Sequence, residues 1–195
     1  MKKVAILALS TLIPVACLAQ TQPLEPLRWT GKFAYHAEKT YGPGYMAGFA
    51  AYAGILQAFD SPEEWGQGAS GYGKRFASTV GWSGIRSGLA FGLDSSLGQD
   101  PRYRKSLDTG FWRRTGHAFK ETILTHKDKG GMTLSTWRLG SAYGAAFLSN
   151  MWYPDRLNTV GLGFLQGTET VGWDFLGNLG SEFWPDLKRK VLRRK

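Results

Sequence analysis

Ser83-Gly84-Ile85-Arg86-Ser87-Gly88-Leu89-Ala90-Phe91-Gly92 is the stretch on which the reading of this chain turns. Glycine recurs every four residues, so a helix through it carries a strip with no side chain on one face. Each internal glycine costs about 1 kcal/mol against alanine in a helix, and only a close contact recovers that cost. Gly44 with Gly48, Gly140 with Gly144, and Gly163 with Gly167 repeat the spacing. The pattern predicts an all-α protein, a glycine-packed helical bundle of about five or six helices, with Gly84, Gly88 and Gly92 at a helix contact. In lipid such strips associate helices, which makes self-association through them a second expectation. In a bundle they let Trp, Tyr and Phe of a neighbour fill the groove.

Working outward, the helix signals are frequent. Ser61-Pro62-Glu63-Glu64 reads as a start, with Ser61 as N-cap, Pro62 first and Glu64 reaching back. Asp100-Pro101 repeats the device at a short turn. Ser135 or Thr136 caps a helix to about Asn150, and Pro154 stops anything beyond it. Further helices are predicted from about Arg28 to Thr40 and from Gly44 to Phe59, the latter uncharged and expected to be buried on most sides. From Asp155 to Leu192, Leu165, Glu169, Gly172, Phe175, Leu179 and Phe183 follow a helical period, with a bend at Pro185. Thr159 to Phe164 alternates like a strand, but glycine fills the alternate positions. An outer-membrane β-barrel is the alternative architecture, without the regular train of strands and turns it needs.

The 195 residues suit one core or two small ones, with 43% hydrophobic and 20% charged residues. Residues 1–19 read as a signal peptide: Lys2 and Lys3, an apolar run from Val4 to Ala16, then Cys17-Leu18-Ala19 with cleavage after Ala19. Cys17 is also a candidate lipoprotein cysteine, although Pro14 occupies a position where an aliphatic residue is wanted. Residues 20–187 are expected to form a single helical domain, exported to the periplasm or associated with the outer membrane. One cysteine excludes an internal disulfide and a cysteine-rich zinc site.

The net charge is +9. Removing Lys2 and Lys3 leaves +7, and six of those charges lie in the tail 188–195, on Lys188, Arg189, Lys190, Arg193, Arg194 and Lys195. The body is therefore near neutral and no nucleic acid is expected as a partner. The tail suits an anionic membrane surface or a solvated helix end. The uncharged stretches Gly42–Phe59 and Leu139–Pro154 are at or below the length that spans a bilayer, and a mean hydropathy of −0.26 argues for a peripheral or oligomeric envelope protein. The aromatics are expected mainly in the core.

Chemistry is sparse. His117 and Glu121 stand four apart on a predicted helix, a metal half-site or acid/base pair in geometry, and a structural pair by the blander account. No third ligand is singled out, so no metal and no cofactor is expected. There is no G-x-S-x-G, no H-E-x-x-H and no Walker loop; Gly66-Gln67-Gly68-Ala69-Ser70-Gly71 lacks the strand before it and the Lys-Ser/Thr pair.

Six blocks carry a resemblance: Glu64-Trp65-Gly66-Gln67-Gly68-Ala69, Gly71-Tyr72-Gly73-Lys74-Arg75-Phe76, Gln99-Asp100-Pro101-Arg102-Tyr103, Phe111-Trp112-Arg113-Arg114-Thr115-Gly116-His117-Ala118, Ser149-Asn150-Met151-Trp152-Tyr153-Pro154 and Glu182-Phe183-Trp184-Pro185-Asp186. Together they resemble an uncharacterised family of exported bacterial proteins. The resemblance implies export and a helical fold but no activity. It also implies that Tyr and His interchange before Ala118, which argues against His117 as an obligatory catalyst.

Arg75, Arg102, Arg113, Arg114 and Arg156 sit beside aromatics or turn residues. They suit ring stacking and ion pairs to Asp100, Asp155 or Asp186 that tie helix ends together. The sharper alternative is a cationic pocket for a phosphate, carboxylate or lipid headgroup. The expected function is a structural or binding protein of the envelope, peripheral to a membrane. A small hydrolase or lipid-modifying enzyme using His117 and Glu121 is the alternative.

Overall fold

Proline is tolerated in the first turn of a helix, where its missing N–H has no partner to lose. Pro43 accordingly opens a second helix directly after the first in the computed structural model, which describes residues 25–192. The described residues form α1 (Trp29–Tyr41), α2 (Pro43–Ala58), α3 (Gly68–Leu97), α4 (Phe111–Ile123), α5 (Thr136–Ser149) and α6 (Val160–Leu192). Between α4 and α5 a two-stranded antiparallel hairpin pairs β1 (Leu124–His126) with β2 (Met132–Leu134), placing His126 opposite Met132. Gly130 and Gly131 turn it with φ of 94° and 80°, a region glycine enters without penalty. Among the described residues the fold is an all-α bundle, with no barrel. The segment 1–19 read as a signal peptide, with Cys17, and the cations Arg193, Arg194 and Lys195 lie outside the described residues. The tail begins as helix, since α6 continues through Lys188, Arg189 and Lys190, all exposed.

Helices α1 and α2 run in succession antiparallel to α3. The Lys32 ammonium donates to the Asp94 carbonyl at 3.1 Å, and the Tyr72 hydroxyl to the Ala50 carbonyl at 3.1 Å. Helix α5 packs between α3 and α6. Glycine explains both seams. Leu93 and Leu89 of α3 occupy the space where Gly140 and Gly144 of α5 would carry a Cβ, at 2.8 and 2.9 Å. Tyr143 and Phe147 of α5 press in the same way onto Gly167 and Gly163 of α6, leaving under 3 Å for a Cβ. Two of the three glycine pairs therefore work as anticipated.

The strip that opened the reading does not. A Cβ on Gly84 would meet the Tyr41 hydroxyl at an ordinary 3.7 Å, and Gly88 and Gly92 have nothing within 4 Å. Gly88 and Gly92 are exposed, because α3 turns Leu89 and Leu93 toward α5 instead. Gly44 and Gly48 are likewise open. The Ser61 cap is also corrected: α3 begins at Gly68, and residues 63–65 form only a short 3-10 turn. The cause is Arg75, fully buried, whose guanidinium collects the carbonyls of Ser61, Pro62 and Gly66 at 2.9, 2.7 and 2.6 Å together with Gln57 Oε1 and Asp60 Oδ1. Residues Thr159 to Phe164 are helical from Val160 and form no strand.

The largest correction concerns the distribution of side chains. The buried apolar residues are six alanines and Trp137, while Lys32, His36, Arg75, Asp94, Asp100 and Glu182 are among the buried polar ones. Large apolar side chains lie outside, with Trp112 80%, Trp173 70% and Phe59 78% exposed. Helix α2 buries Ala53 alone and exposes Tyr45, Tyr52 and Ile55. The aromatics are thus not mainly core.

Candidate functional site

A buried charge needs a partner, because desolvation costs several kcal/mol otherwise. The interior of this bundle is organised by that demand. His36 Nε2 lies 2.6 Å from Asp94 Oδ2, and Lys32 donates to Asp128 Oδ2 at 2.6 Å. Glu182 accepts from the Tyr103 hydroxyl at 2.6 Å and from Arg114 Nε at 2.9 Å. Burial, then that bond to Glu182, raises the Tyr103 phenol well above its ordinary value. Burial would raise Asp100, but Arg102 and Arg104 more than offset it and hold the carboxyl below its usual range.

Beside these pairs lies a cavity of about 640 Å3, walled by α1, α2, α3, α5, α6 and the 98–110 connection. Five cations line it: Lys39, Arg86, Arg102, Lys105 and Arg138. Asp174 is the one carboxylate in the lining. Three of the cations stack on lining aromatics. Lys39 lies 4.7 Å from the Tyr35 ring, Arg86 5.8 Å from Trp82 and Arg138 4.5 Å from Trp137. Trp173, Tyr45 and Phe49 complete an aromatic surround.

Asp174 is shared between two guanidiniums. Arg86 pairs with it at 2.5 Å, and Arg138 Nε stands 3.6 Å away, beyond hydrogen-bond reach. Arg138 is 4% exposed and caps the C-terminal turn of α4, donating from one terminal nitrogen to the carbonyls of Glu121 and Thr122 at 2.6 and 2.8 Å. Its Nε is buried with no hydrogen-bond partner. Burial lowers the affinity of this guanidinium for its proton, and the attraction of Asp174 does not make up the difference.

The sequence-derived candidates fall elsewhere. His117 and Glu121 are both buried on α4 but do not converge: His117 Nε2 donates to the Arg104 carbonyl at 2.6 Å with its ring 5.9 Å from Tyr103, while Glu121 accepts from His126 at 2.9 Å. Glu121 is occupied structurally, and His117 is held through Nε2 while its buried Nδ1 has no hydrogen-bond partner. Among the described residues no three His, Cys, Asp or Glu side chains are grouped to hold a metal. Of the arginines singled out, Arg102 pairs with Asp100 at 2.8 Å, Arg114 with Asp186 and Glu182, and Arg156 with Glu64 at 2.9 Å. The ties to Asp100 and Asp186 are as anticipated, whereas Arg156 takes Glu64 and not Asp155, Arg75 takes Asp60, and Arg113 forms no salt bridge among the described residues; Arg114 also stacks on Phe183 at 4.3 Å. Arg86, Arg138, Lys39, Lys105 and Asp174 were missed as a group. The sole sequence signal was the interruption of a glycine strip by Arg86.

Compared with known proteins, the chain matches no family model, no curated protein and no solved structure. Its functional reading rests on its own residues.

Proposed function

We propose that this is a non-catalytic, lipid-associated binding protein of the cell envelope, whose aromatic exterior lies in a membrane and whose polar interior forms a binding cavity. The observation that carries the reading is the inverted distribution of side chains. Folding in water puts large apolar groups inside, and an exposed apolar surface well beyond a few hundred Å2 signals a partner phase or partner protein. Here α2 and α5 expose no charged side chain, and between residues 76 and 97 of α3 the charged residues, Arg86 and Asp94, both turn inward. At about 1.5 Å per residue that stretch is roughly 30 Å long, close to the thickness of a bilayer's hydrocarbon core. Exposed charges gather mostly in connections and near chain ends, at Asp60, Glu63, Lys127, Lys129 and Lys188 to Lys190, with Glu38, Lys74, Arg113 and Glu169 as exceptions on the helices.

No helix among the described residues is long and apolar enough to cross a membrane. An average over a helix counts both faces, whereas lipid meets only the outer one. Exposed Trp184 together with Lys188, Arg189 and Lys190 suits the headgroup level of an anionic leaflet, where each cation contributes about 1 kcal/mol. Sequential washing of native membranes tests the reading. The protein is expected to stay through high salt and carbonate and to leave only with detergent. Release by salt alone would reduce the association to its basic end. Recovery as a soluble oligomer without detergent would assign the apolar exterior to copies of the chain and overturn the proposal.

A further inference from the structure

We infer that the interior cavity is a phosphate site, taking a phosphate ester whose apolar part lies among the lining aromatics. The inference rests on the proposed binding role and names its ligand class. Three observations carry it. First, with Arg102 already paired to Asp100, four lining cations, Lys39, Arg86, Lys105 and Arg138, face one carboxylate, Asp174, an excess larger than a single carboxylate ligand would balance. Among the described residues Lys39 and Lys105 form no salt bridge, so their charge is not already met within the protein. Secondly, Asp174 serves two guanidiniums and leaves the buried Arg138 Nε without an acceptor. The Arg86–Asp174–Arg138 group therefore keeps a net positive charge at the cavity wall, which an oxyanion in the cavity would balance with charge-assisted hydrogen bonds. Thirdly, about 640 Å3 exceeds what inorganic phosphate alone would fill, and Trp82, Trp137, Trp173, Tyr45 and Phe49 offer apolar and π surface to the remainder.

A purely structural Arg86–Asp174–Arg138 triad is the competing account, tying α3, α5 and α6 together. The two differ in what removing the carboxylate does. In the structural account Asp174→Asn leaves two guanidiniums stranded and no ligand repairs the loss. If the cavity is a phosphate site, a bound phosphate replaces the carboxylate, and the variant gains more from ligand than the wild type does.

The test uses the full-length protein in a neutral detergent and follows thermal unfolding against three probes: a short-chain phosphatidic acid, a short-chain phosphatidylcholine and inorganic phosphate. The expected result is a saturable rise in Tm with phosphatidic acid, larger for Asp174→Asn than for wild type. Lys39→Gln and Lys105→Gln, which break no ion pair among the described residues, should weaken it about tenfold or more. A comparable response to inorganic phosphate would keep the phosphate site and identify a free phosphate as its ligand. No saturable shift with either anion, or equal shifts with phosphatidylcholine and unchanged behaviour of both lysine variants, would overturn the inference. Membrane retention is read separately. Wild type that stays with the membrane fraction but binds neither anion would overturn only this inference, whereas wild type that binds phosphatidic acid but leaves the membrane without detergent would overturn only the lipid-association reading.

Discussion

Arg75 is the clearest case of one residue deciding a local structure. It has no solvent exposure, and its five acceptors lie on the connection between α2 and α3, at the end of α2, or both. Removing it leaves the carbonyl of buried Pro62 without its donor, gives those of Ser61 and Gly66 back to solvent, and takes the partner from half-exposed Asp60. Arg75→Met is therefore expected to destabilise the protein by about 1–3 kcal/mol, the range for leaving a buried acceptor without its donor. Urea unfolding measures the loss, and limited proteolysis should find new cleavage between residues 59 and 67. A variant as stable as wild type would mean that this connection finds other donors. The same residue shows why the Ser61 start was misread. Capping statistics describe what a helix end does when left to itself, whereas here a distant guanidinium claims the carbonyls.

At the scale of the element, the glycine pairs divide into two kinds that spacing alone does not separate. Gly163 and Gly167 are covered by Phe147 and Tyr143, while Gly88 and Gly92 face open space. Gly167→Leu should therefore cost about 1–3 kcal/mol or more through overpacking. Gly88→Ala should be neutral or stabilise by up to about 1 kcal/mol, because it adds helix propensity and displaces nothing. Paired denaturation curves check both, and a Gly88→Ala loss comparable to that of Gly167→Leu would place a contact on a face that is bare in the monomer. Existence and approximate limits of α1, α2, α5 and α6 were legible from caps, prolines and period. What was not legible was rotation about the helix axis. Leu89 and Leu93 decide that α3 turns its leucines to α5, and nothing in the repeat of Gly84, Gly88 and Gly92 says which of the two strips wins.

Over the whole molecule the sequence disguises its own arrangement. Gly, Ser, Thr and buried charges on the inner faces lower every hydropathy average, so Trp112, Trp173 and Phe59 read as future core when they are surface. The cavity was hidden for a related reason: its cations come from α1, α3, α5 and the 98–110 connection and share no spacing. The bundle is also held unequally. Helix α5 is keyed into glycine on one side and presents glycine on the other, whereas α2 lies along α3 with Ala53 as its one buried side chain and with Gly44, Gly48 and Gly54 uncontacted. Amide hydrogen exchange should accordingly be slowest in α5 and its neighbours and faster in the middle of α2. Uniform protection along α2 and α5 would contradict this.

That unequal seating makes α5 a ratchet. Sliding it one turn along α3 in either direction sets Leu89 against Leu148, or carries Leu93 to Thr136, so each leucine tooth has one notch in which both are seated. Trp137 and Arg138 ride on the locked bar, and the wall of the cavity they form is fixed in position relative to Trp82 and Arg86. The opposite wall, made by Tyr45 and Phe49 on α2, has no such teeth. A ligand that enters the cavity is expected to displace that smooth wall, while the notched one holds its gauge.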